Sequence, residues 1–67
     1  MTKEQILSSV VERHDISHEE AEEILQDVRK PLLEAVEAVD MEYVKDIMYE
    51  EFGLELDYLV DVIDAIS

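Results

Sequence analysis

His14 and His18 stand four residues apart with Asp15 and Glu22 close by, a spacing that on a continuous helix presents two imidazoles to one metal ion. The residues between them, Asp15-Ile16-Ser17, are turn and cap types, so the pair is expected to be split by a break and no metal site is expected. Nineteen Asp and Glu residues supply many pairs that could act as general acid and base. That work needs one carboxyl desolvated, or crowded by a like charge in a pocket, so that it titrates near neutrality. A chain of 67 residues has little volume for such a pocket, and the expected fate of these groups is a solvated acidic face. There is no cysteine, and the serines lack a glycine-rich elbow and a His and Asp pairing, so nucleophilic catalysis is not expected. The single glycine, Gly53, leaves no phosphate-cradling loop. The acidic stretch Glu50 to Asp61 lacks the alternating ligands and central glycine of a calcium loop. No enzyme activity and no cofactor are therefore expected.

Charge narrows the partners. Five Lys and Arg against nineteen acids give a formal net charge of −14, and Lys3, Arg13, Arg29, Lys30 and Lys45 are too scattered to form a basic stripe. Direct binding of nucleic acid or anionic lipid is thereby excluded as an expectation, since like charge repels. Hydrophobic residues make up 48% of the chain, which argues for a folded domain and against an acidic disordered tail. One domain, residues 1–67, is expected; it buries only about 60% of the surface its unfolded chain exposes, so a partner or a second copy would help it. With no disulfide and no zinc spacing, helix packing has to supply the stability. Met1-Thr2-Lys3-Glu4-Gln5 lacks the basic start and apolar run of a signal peptide, no window approaches a membrane span, and a cytoplasmic location is expected.

The elements that must position the acids can be read from caps and periodicity. Thr2 with Gln5 forms a capping box for a helix running to about Arg13, with Ile6, Leu7, Val10 and Val11 on one face. Ser17 with Glu20 forms a second box, and Ile16 is placed to staple onto Ala21. The stripe Ala21, Ile24, Leu25, Val28, Leu32, Ala35, Val36, Val39 passes through Pro31 in phase, consistent either with one kinked helix from His18 to Val39 or with a break at which Pro31 opens a new helix. Asp40 caps a helix Met41 to Phe52, with Met41, Val44, Met48 and Phe52 inward and Gly53 as its left-handed terminator. Asp57 is expected to cap a last helix bearing Leu59, Val62, Ile63 and Ile66. The expected fold is an all-α bundle of four to five helices. At an offset of 38 positions, Ile6, Val10, Ile16, Ala21, Ile24, Leu25 and Val28 align with Val44, Met48, Leu54, Leu59, Val62, Ile63 and Ile66. This reads as two helical hairpins related by a pseudo-repeat, or as chance in a chain rich in apolar residues.

Recognition of another macromolecule is the function these features leave. Glu19, Glu20, Glu23 and Asp27 point outward from the second segment, and Glu34, Glu37, Asp46, Glu50, Asp57, Asp61 and Asp64 from the later ones. Helical residues three or four apart lie about 5–6 Å from each other, so such a ladder can occupy a basic groove that otherwise holds DNA or RNA. Tyr43, with Ile47 beside it at the edge of the apolar stripe, is a candidate interface anchor. In size and charge the chain resembles phage-encoded inhibitors of host defence or transcription, which implies a non-enzymatic binder of a basic, nucleic-acid-handling protein. The alternative is a self-assembling module in which copies of the chain bury Leu33, Val36, Tyr43 and Ile47 in a shared bundle, as in a homodimer. The stretch Glu50-Glu51-Phe52-Gly53-Leu54-Glu55-Leu56 is similar to part of an acyl carrier protein, which implies phosphopantetheine on a serine in an Asp-Ser-Leu motif. Ser8, Ser9, Ser17 and Ser67 have no such context, and carrier function is not expected.

Overall fold

In the computed structural model, which describes residues 1–67, both capping boxes form. The Gln5 amide donates to Thr2 Oγ1 at 3.2 Å while the Thr2 amide donates to Gln5 Oε1 at 2.8 Å, opening α1, Lys3–His14. The Glu20 amide donates to Ser17 Oγ at 3.2 Å and opens α2, His18–Glu37. Between them Asp15 takes a left-handed conformation and Ile16 lies half-buried against the core, so the two helices fold back on each other. The chain is all-helical, with no strands.

α2 runs unbroken through Pro31 for 20 residues, which decides between the two readings of that position. An interior proline costs about 3 kcal/mol through its missing N–H and its clash with the carbonyl four residues back. The side chains on either side of it explain why the helix holds. Val28, Leu32 and Ala35 are all buried, and a break at Pro31 would rotate Leu32 and Ala35 out of phase with Val28. Burying a leucine alone contributes about 1.5–3 kcal/mol.

The helix stops at Glu37, two residues before the stripe was expected to end, and Val39 lies outside the core with 73% of its surface exposed. The physical reason is a Schellman turn: the Asp40 amide donates to the Ala35 carbonyl at 2.9 Å and the Val39 amide to the Val36 carbonyl at 3.1 Å. That turn requires a left-handed residue, and Val39 adopts φ 55°. A β-branched side chain in this region costs about 1–2 kcal/mol. Replacing Val39 by Gly is therefore expected to stabilise the protein by about 1 kcal/mol, less what glycine adds to the entropy of the unfolded chain. For a domain of this size that is a rise in Tm of about 4–8 °C, read by thermal circular dichroism.

Asp40 then caps α3, Met41–Ile47, accepting from the Tyr43 amide at 3.3 Å. The expected single helix to Phe52 is instead α3 followed by a π turn, Met48–Phe52, ended by left-handed Gly53. Val44, Met48 and Phe52 point inward as expected, whereas Met41 is 39% exposed and does not join the core. Asp57 does not act as an N-cap. It lies within a 3₁₀ turn, Leu56–Tyr58, which follows extended Glu55 and leads directly into α4, Leu59–Ile66. The half-buried Leu54 and Leu56 on either side of Glu55 pack on the core and set the chain's path here, so the turn begins before Asp57. Four α-helices result.

α1 packs on α2, α4 and the π turn, and α2 also contacts α3 and α4. The core they enclose is wholly apolar, with Ile6, Leu7, Val10, Leu32, Val44, Met48, Phe52 and Val62 almost fully covered. Two long-range hydrogen bonds tie the halves together: His14 Nε2 lies 3.0 Å from the Glu51 carbonyl, and Arg29 Nε donates to the Ile66 carbonyl at 3.0 Å. The second places a cation at the C-terminus of α4, where free carbonyls and the helix dipole favour it.

Candidate functional site

The continuity of α2 decides the layout of the acidic surface. At 100° per residue Glu19, Glu20, Glu23, Asp27, Glu34 and Glu37 fall within an arc of roughly 100° on the side opposite Leu25 and Leu32. All six are exposed. From Glu19 to Glu37 the row is about 27 Å long at 1.5 Å per residue. Lys30 is the only cation on that arc.

Along one edge of this row α2 meets α3 and the π turn in a groove of about 390 Å³. Its apolar surface comes from Ile24, Val28 and Pro31 on α2 and from Tyr43 and Ile47 on α3. Its acidic rim is Asp27 on one wall and Glu50 and Glu51 on the other. Asp27, Tyr43, Ile47 and Glu50, drawn from three elements, are thus brought together. Ile47 plays a different part from the one expected. It is only 8% exposed and belongs to the core, so it forms floor rather than an anchor, while Tyr43 stands 48% exposed beside it. Asp46 is not brought to this groove. It lies on the other side of α3, in a larger neighbouring groove of about 740 Å³ with Glu42, Lys45 and Tyr49.

Ile24, Val28, Pro31 and Glu51 are groove residues that the sequence reading did not assign to an interaction site. A signal for three of them existed: Ile24 and Pro31 share one edge of a continuous helix with Glu20 and Asp27, and Val28 borders it. Using that signal required α2 to be unbroken, which periodicity alone left open.

The carboxylates are poorly neutralised from within. Only Asp61 has a fixed cation within ion-pair distance, the chain N-terminus at 3.0 Å, while Glu4 and Glu51 have imidazoles nearby, His18 at 3.5 Å and His14 at 3.8 Å. None of the five Lys and Arg side chains forms an ion pair; Arg29 caps α4, and the Arg13 guanidinium stacks 4.8 Å from the Tyr49 ring centroid. His14 and His18 serve different partners, His14 the Glu51 carbonyl and His18 the Glu4 carboxylate. Of the residues assigned to a shared bundle, Leu33 and Val36 pack against the chain's own core and Ile47 is inside it, which leaves Tyr43 exposed.

No helix is long and apolar enough to cross a membrane. No protein-family model, curated protein or solved structure matches the chain.

Proposed function

We propose that this protein is a non-enzymatic interaction module that docks the acidic face of α2 and the adjoining groove onto a basic surface of a nucleic-acid-handling protein, and so competes with nucleic acid for that surface. The observation that carries this reading is the row of six exposed carboxylates on one helix face, with Lys30 the single cation among them and none of the six in an ion pair, in a chain of net charge −14. Gathering like charges on one side strains the compact state. A cationic partner relieves that strain, and opposite fields steer association. The phage-type inhibitors that the chain resembles in size and charge would work in this way, in the cytoplasm.

The 38-residue offset is part of the same proposal. The N-caps Thr2 and Asp40, the left-handed Asp15 and Gly53, and the extended Ser17 and Glu55 each stand at that offset. Ser17 and Glu55 have φ −76° in common, with ψ 164° and 162°. These coincidences support a frame of two related hairpins in which α2 is the longer second helix, extended to carry the acidic row.

The test is affinity capture on the immobilised protein at low and high salt, with mass-spectrometric identification. A nucleic-acid-binding protein held at low salt and released at high salt is the expected result. Recovery of the chain itself alone, or of partners indifferent to salt, would contradict the reading.

A further inference from the structure

Asp27 and Glu50 both line a groove, part apolar and part acidic, that no lysine or arginine of the chain lines. The groove on the other side of α3 is larger and more apolar, but it is already supplied with cations. It contains Lys45, and its tyrosine, Tyr49, already carries the Arg13 guanidinium at 4.8 Å. Tyr43 has no such cover and is 48% exposed. Towards the α2–α3 turn the sequence continues this apolar exposure through Met41 and Val39.

We propose that the groove between α2 and α3 takes one short amphipathic helix of the basic partner, with an apolar side chain seated against Pro31 and Tyr43 and Lys or Arg side chains reaching Asp27 and Glu50. This rests on the reading of the protein as a binder of basic proteins and adds the place and form of the grip. A helix fits a trough between two helices through apolar residues at i, i+3, i+4 and i+7. Its volume, about 390 Å³, falls at the lower end of the roughly 300–1,000 Å³ typical of sites that bury a ligand. Charge selects the occupant. A second copy of the chain would set carboxylates against carboxylates, and nucleic acid would be repelled. Exposed ion pairs alone give weak, readily screened attraction, so the apolar contact supplies what separates one cationic segment from another.

Three synthetic peptides of equal positive charge test this by fluorescence anisotropy on the full chain. The first has leucines along one helical face among lysines, the second has the same composition scrambled, and the third has alanine for every leucine. The amphipathic peptide is expected to bind at least tenfold more tightly than the other two. Tyr43→Ala, at an exposed position, should abolish that advantage, and Asp27→Lys with Glu50→Lys should abolish binding. Amide shifts in the unmodified protein, expected at Ile24, Asp27, Val28, Tyr43, Ile47 and Glu50, give a readout independent of any variant. Equal binding of all three peptides, with shifts spread along Glu19–Glu37, would overturn the groove proposal and leave the acidic-face reading standing. Failure of all three to bind at low salt would overturn both.

Discussion

Changing Glu19, Glu20 and Glu23 to Gln together with Asp27 to Asn is expected to weaken binding to the basic partner ten- to hundredfold at low salt while the protein stays folded. The loss corresponds to about 1.4–2.8 kcal/mol, a modest share for each of four rim charges, whose main effect is on the rate of association. Two opposed terms act on stability. The changes relieve repulsion along the face, but two of the four residues, Glu19 and Glu20, lie in the first turn of α2, where the dipole favours an acid by about 0.3–1 kcal/mol each. Glu20 also closes the capping box with Ser17, accepting from its amide at 3.4 Å, and glutamine retains that acceptor. The net change in stability should stay within about 1 kcal/mol, checked by chemical denaturation beside the affinity measurement. A variant that unfolds would show that these acids build the helix rather than the interface.

Phe52→Ala carries the largest expected effect on folding. Phe52 closes the π turn with 2% of its surface exposed, and truncating a buried phenylalanine costs about 3–5 kcal/mol. At roughly 0.05–0.15 kcal/mol per residue, a domain of this length has about 3–10 kcal/mol in total. The variant should therefore lose most of its cooperative melting transition in circular dichroism. Val60→Ala, at an exposed position of α4, should change stability by no more than about 0.5 kcal/mol.

Local chemistry made most of the fold legible in the sequence. Thr2 with Gln5 and Ser17 with Glu20 specify their helix starts through short-range hydrogen bonds, and Asp40 and Gly53 mark the ends of the next segment by the same kind of logic. Pro31 and Asp57 show where local chemistry is outweighed. At Pro31 the burial of Leu32 and Ala35 keeps the helix intact, and near Asp57 the packing of Leu54 and Leu56 moves the turn upstream of an otherwise good cap. Val39 is a conflict of another kind: its residue type fits the apolar stripe, but its position falls on the left-handed residue of a Schellman turn.

The acidic row was legible because outward helical positions follow from the inward stripe. The groove was not, since it depends on how α2 lies against α3. Ile47 illustrates the difference. Periodicity placed it at the edge of the stripe, and the contact between the two helices turned that edge into core. The π turn, which carries Glu50 and Glu51 on the groove's second wall, has no sequence signature that period or capping could expose.

The most direct measurement of the central claim is a competition titration, in which labelled duplex DNA or RNA bound to the captured basic protein is followed by anisotropy as this protein is added. Stoichiometric displacement, lost in the variant with Glu19, Glu20, Glu23 and Asp27 neutralised, is the predicted result. Nucleic acid that stays bound while this protein saturates the same partner would contradict the account, because the acidic face would then be docking somewhere other than the nucleic-acid site.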